Sequence, residues 1–183
     1  SGVPSWASAS GGAWTFIEGF TASTSALIAF TGFTSTYDCY KVFVTNATPS
    51  ADTDQFYAQW RQSGSYLTSG YRYAAAKIVS TTTTVPAIVS SSASFMRLTN
   101  DGTGDKAGEI FNYEITIWDP LGTDNAKGIN WDGYVVNQDD TCSMTLGAAD
   151  HHNNEDAMDG IKFYMESGTI VTGTFAMYGL NKS

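Results

Sequence analysis

Apolar and polar residues alternate with a period of two in short runs along this 183-residue chain, the pattern of strands that turn one face to a core. The clearest case closes the chain. Ile161, Phe163 and Met165 alternate with Lys162, Tyr164 and Glu166, a Ser-Gly pair follows, and Ile170 to Leu180 resumes the pattern, which predicts a terminal β-hairpin and a self-contained β-domain. Earlier runs fall at 13–18, 25–31, 38–46, 54–62, 71–79, 92–99, 108–119, 127–137 and 141–147. Between them lie turn signals: Thr31-Gly32, the stretch 46–54 around Pro49, the Gly-rich 100–104, and Asp119-Pro120-Leu121-Gly122. Short strands at this spacing predict an all-β, antiparallel β-sandwich that is jelly-roll-like, with a closed barrel as the alternative. No stretch carries a sustained 3.6-residue stripe, and 150–158 comes nearest to a helical turn. The hydroxyl-rich segment 80–92, broken by Pro86, reads as an exposed loop or as an edge strand ending at that proline.

Composition narrows the class. Charged residues make up 15% of the chain and aromatic residues 14%, with 18 glycines, which is strand-and-turn usage. The length suits a single domain at 13–183 preceded by an extended N-terminal arm at 1–12. A net charge of -9 with only 9 Lys and Arg leaves no basic surface for phosphates, so nucleic acid is not an expected partner. No run approaches the roughly 20 apolar residues of a membrane span, and the first dozen residues lack the charged and apolar regions of a signal peptide. A soluble protein with no membrane partner is expected. Cys142 alternates in phase with Met144 and Leu146 and is expected to point into the core, whereas Cys39 shares its phase with Lys41 and Phe43; two free thiols are expected.

Asp150 to Asp156 with Asp159 gathers both histidines, His151 and His152, with several carboxylates, but adjacent residues in a strand point to opposite sides, and the run reads as a solvated polar loop rather than a metal site. The stretch 100–108, with Asp101 and Asp105 among glycines, resembles a calcium loop yet is also the ordinary chemistry of a hairpin turn. The carboxylates Glu18, Asp52, Asp54, Glu109, Glu114, Asp119 and Asp132 could supply a glycosidase pair only if two of them face one another across a cleft, and Glu114, between Tyr113 and Ile115, is the one to inspect. No Gly-x-Ser-x-Gly elbow is present. The reading is therefore of a protein that is not an enzyme and takes no metal or cofactor. Trp60, Tyr66, Tyr71, Tyr73, Trp118, Trp131 and Tyr134 form the pool for a sugar-stacking platform, most of them expected in the core.

In the arm, Trp6 stands alone among small residues and reads either as an anchor on a neighbouring subunit or as packing back on its own domain; Val3, Pro4, Trp6 and, at the junction, Trp14 are the candidate partner-binding residues. The order of short landmarks resembles a family of small tailed-phage virion structural proteins. These landmarks are Gly11-Gly-Ala-Trp-Thr-Phe-Ile17, Phe30-Thr-Gly32, Tyr37-Asp-Cys-Tyr40, Asn46 to Pro49, Arg61 with Ser63 and Gly64, and Gly173-Thr-Phe-Ala-Met-Tyr-Gly-Leu180. The resemblance implies a subunit of the virion, assembled in the host cytoplasm. It is expected to be a capsid decoration or cement protein that binds the major capsid protein, or other virion proteins, as a homotrimer. The alternative it implies is a tail-fibre or tail-tip domain that recognises host surface glycan.

Overall fold

The computed structural model describes residues 13–100 and 102–181. Its strands in chain order are β1 (Trp14–Thr21), β2 (Ile28–Phe30), β3 (Tyr37–Pro49), β4 (Phe56–Gln62), β5 (Ser65–Tyr66), β6 (Tyr71–Val79) and β7 (Ala87–Ala93). They continue with β8 (Met96–Arg97), β9 (Phe111–Trp118), β10 (Gly128–Val136), β11 (Cys142–His151), β12 (Gly160–Met165) and β13 (Ile170–Asn181). An eight-stranded sheet runs β1-β13-β3-β9-β10-β11-β6-β7, and a five-stranded group runs β2-β12-β4-β5 with β8 added beside β4. Each strand pair is antiparallel. The two sheets pack face to face as a β-sandwich with open edges, not as a closed barrel.

The core forms where the inward rows meet. Tyr40, Val42 and Val44 of β3, Ile115 and Ile117 of β9, Ile129 and Trp131 of β10, and Phe175 and Met177 of β13 are buried from the larger sheet; Phe56, Ala58 and Trp60 of β4 and Ile161, Phe163 and Met165 of β12 answer them from the smaller one. Phe56 is the hub, with ring centroids 4.8 Å from Phe111, 5.8 Å from Tyr113, 5.8 Å from Phe163 and 6.4 Å from Phe175. Strand β4 is buried on both faces because the segment after β7 folds over its outer side. Tyr57 stacks on Phe95 at 3.9 Å, and the Gln59 amide donates to the Ser94 carbonyl at 2.7 Å.

Several expectations are corrected. Strands β12 and β13 do not form a hairpin: β12 pairs with β2 and β4, whereas β13 pairs with β1 and β3, so the Ser167-Gly168 turn arches from one sheet to the other. Asp54, buried at the foot of that arch, holds it by accepting from the Ser167 amide at 3.0 Å. The segment 80–92 is not simply a loop: β7 begins just after Pro86 and pairs with β6, forming the edge of the larger sheet, with the proline at its start, where its carbonyl accepts from the Lys77 amide at 2.9 Å. Strand β3 continues past Asn46, which takes a φ of 51° at a bulge, to Pro49. Residues 150–158 contain no helical turn; β11 runs to His151 and turns follow.

Strand β11 also faces the other way from the expectation. Cys142, Met144 and Leu146 point outward and are exposed, while Ser143, Thr145 and Ala149 are buried. Its inward row is small because bulky neighbours fill the space: a Cβ on Gly147 would lie 2.4 Å from the Trp131 ring and 2.7 Å from the Ala74 carbonyl oxygen. Cys39 is buried, and both thiols are free.

Candidate functional site

Alternation on eight paired strands builds a second surface, the outer face of the larger sheet. In register across it run Tyr178, Lys41, Thr116, Asn130, Ala148 and Ala74; two residues along each strand, Ala176, Phe43, Glu114, Asp132, Leu146 and Ala76 follow. Beyond them Asn112, Tyr134, Met144 and Ile78 form a third row. Tyr134 and Met144 are each 45% exposed, and Phe43, Leu146 and Ile78 are exposed beside them. Phe43 and Phe16 both meet the Tyr178 ring edge-on, at 5.8 and 5.5 Å. Phe43, Glu114, Asp132, Tyr134, Cys142 and Met144 line a groove of about 510 Å³ in this face.

Glu114 and Asp132, both of the sequence pool, are cross-strand neighbours in that groove. They project together from one sheet face, and Glu114 is tied to Lys41 in an ion pair. Glu18 and Asp54 hold turns. Glu18 accepts from the Thr31 and Gly32 amides, both at 3.1 Å. Asp54 accepts from the Gln55 and Ser167 amides at 2.9 and 3.0 Å, and burial pushes its carboxyl above the usual range. At Asp119 it is the backbone carbonyl that closes the turn, accepting from the Gly122 amide at 3.2 Å.

Among the described residues, Asp52, Asp105 and Glu109 place carboxylate oxygens within 4.8 Å of one another and are the group able to offer oxygens to a cation. Glu109, the buried member, is already engaged: it accepts from the Lys106 amide at 2.9 Å, and the Lys106 ammonium stands 3.7 Å away. The surrounding segment is not a hairpin turn, because it joins β8 of one sheet to β9 of the other.

The histidine-bearing run clamps the end of the sandwich. Arg61 donates to Asp159 at 3.1 Å, the Gly64 amide donates to the same carboxylate at 2.8 Å, and Gln62 donates to Asp156 at 2.9 Å. His151 packs over Gly70, whose Cβ would lie 2.8 Å from the imidazole, and meets Tyr71 edge-on at 5.1 Å. Burial there lowers the His151 pKa, opposed by the Ser69 backbone and the Asp150 charge. Above a pH of about 6.5 His151 is neutral in both folded and unfolded chains. As pH falls below that value the unfolded chain takes the proton first, so stability is lost until the lower folded-state pKa is passed. Thermal denaturation at about pH 7 and about pH 5 should show a fall in melting temperature that is smaller in His151→Gln; an identical fall in the two proteins contradicts this assignment.

Of the aromatic pool, Trp60, Tyr71 and Trp131 are buried and Tyr66 and Tyr73 half-buried, leaving Trp118 and Tyr134 exposed, both on the outer sheet face. Trp14 is half-buried on β1, where the Lys41 ammonium lies 5.5 Å from its ring centroid. Val3, Pro4 and Trp6, with the rest of the arm at 1–12, lie outside the described residues. Sequence reasoning missed the outward placement of Met144 and Leu146, because apolar residues on a strand are assigned inward by default; the signal available was the run of small residues that alternates with them. Compared with known protein families, curated proteins and solved structures, the chain finds no match.

Proposed function

We propose that this protein is a virion structural protein of a tailed phage, a capsid decoration protein that binds the major capsid protein as a homotrimer and acts through contact area. The observation that carries the binding part is the groove of Phe43, Tyr134 and Met144 on the uncovered face of the larger sheet. An antiparallel sheet that faces water ordinarily presents polar residues there. A contiguous apolar patch instead favours a protein contact. The virion assignment is supported by the order of landmarks from Gly11 to Leu180, and the landmark at Gly173–Leu180 lies within β13, between β1 and β3, where it orders the sheet that carries the groove. The second reading, a tail-tip domain recognising host glycan, is favoured by Trp118, an exposed aromatic at the other end of the same face.

Trp6 and the arm at 1–12 are assigned the tie to neighbouring subunits. Removing residues 1–12, or Trp6→Ala alone, should lower occupancy on purified particles while the sandwich melts at the wild-type temperature. Wild-type occupancy in the truncated protein removes the arm from the account.

A further inference from the structure

We propose that the Trp118 end of the outer sheet face is a carbohydrate site that takes one neutral pyranose unit of a glycan. The inference does not rest on the virion reading. Trp118, Gly128, Asp150 and Arg72 stand in one cross-strand row on β9, β10, β11 and β6. They border a shallow groove of about 470 Å³ that also includes Asn130 and Ala148, a size within the range of small-molecule sites.

Each part matches a different side of a sugar. Trp118 is 54% exposed, and its indole N–H donates to the Asn130 side-chain oxygen at 2.6 Å, which fixes the ring's orientation. A fixed, exposed indole offers a flat apolar surface to the C–H face of a pyranose with little entropy left to lose. Asp150 accepts from Arg72 through both carboxylate oxygens, one of these bonds being 2.9 Å. That pairing holds the carboxylate rigid yet leaves each oxygen a further lone pair and the guanidinium further N–H groups, a donor and acceptor set for ring hydroxyls. Because the cation and anion neutralise one another in a chain of net charge -9, an uncharged sugar fits better than a uronic or sialic acid.

Gly128 supplies the space between them. Its two cross-strand neighbours, Trp118 and Asp150, stand on strands about 9.6 Å apart, and the missing side chain opens the floor. The fold does not demand glycine here. A Cβ would meet only the Ala149 carbonyl oxygen, at 3.5 Å, in ordinary contact, and the backbone is not in the left-handed region. Gly133 on the same strand is different, since a Cβ there would fall 2.2 Å from the Tyr113 ring. A glycine in a central strand is weakening unless something must approach the backbone, and at Gly128 that approach is from the groove.

The test titrates the whole isotope-labelled chain with methyl glycosides of neutral hexoses and N-acetylhexosamines, followed by the Trp118 indole and Gly128 amide resonances. A shallow one-sugar site should show dissociation constants of about 1–10 mM. The expected result is saturable movement of both resonances with at least one neutral glycoside, weaker binding of glucuronic acid, and a loss of about tenfold or more in Trp118→Ala and in Gly128→Val. If Trp118→Ala fails to fold, Gly128→Ala carries the same test, because its methyl group fits the fold and intrudes only on the floor of the groove. Absence of movement with every neutral glycoside overturns the proposal, as does binding that Gly128→Ala and Gly128→Val leave unchanged.

Discussion

Phe56→Ala should lower the stability of the sandwich by about 3–5 kcal/mol, the usual loss when a buried phenylalanine is truncated. Phe56 is fully buried and touches aromatic rings from both sheets: Phe163 beside it, and Phe111, Tyr113 and Phe175 opposite. Removing it therefore deletes the common partner of four rings that cannot all collapse inward. For a chain of this size each kcal/mol moves the melting temperature by about 2–4 °C, so a drop of roughly 6–20 °C is expected by calorimetry. A drop of less than about 3 °C would mean that the sheets do not meet through this cluster.

The second large effect is on association, and it should leave folding nearly untouched. The double variant Phe43→Arg with Met144→Arg places two guanidinium groups in the outer groove, near Glu114 and Asp132. In the isolated chain those charges sit in water beside carboxylates, and surface substitutions of this kind change stability by about 1 kcal/mol or less. In a contact that covers the groove they must be desolvated, which costs several kcal/mol and weakens binding by about 100-fold or more. The variant should no longer be retained on particles, and any self-association made through this groove should be lost in sedimentation. Wild-type assembly and retention would place the contact elsewhere on the molecule.

How far the sequence carries this account depends on which physical signal each element leaves. Strand β6 occupies the expected 71–79 because Gly70 and the hydroxyl-rich run bound its apolar stretch. Strands β12 and β13 are legible as strands, yet the hairpin is not what forms. Period-two alternation tells which residues face the core; it does not tell which sheet a strand joins, and Met165 and Ile170 point inward in an arch as they would in a hairpin. Strand β7 is hidden because Pro86 and a run of serines remove the apolar alternation, which an edge strand does not need.

The site follows the same logic. Trp118 and Tyr134 are in the aromatic pool drawn from the sequence, and Glu114 and Asp132 among its carboxylates. What the sequence leaves open is their gathering on one face, since that depends on the order β3-β9-β10-β11-β6, which only the tertiary fold sets. The inversion of β11 is the costliest misreading. Met144 and Leu146 outrank Ser143 and Thr145 in hydrophobicity, but Trp131 and its neighbours leave room only for small side chains inside. Apolar residues expelled from the core in this way become the groove.

The most direct test is a reconstruction of intact particles at a resolution that traces this chain. The account predicts copies of the sandwich distributed over the shell in threefold groups, with Phe43, Tyr134 and Met144 covered by protein and the Trp118 end open to solvent. Density confined to tail or fibre tips would contradict the decoration reading and favour receptor recognition, and a particle lacking this chain would contradict the virion assignment itself.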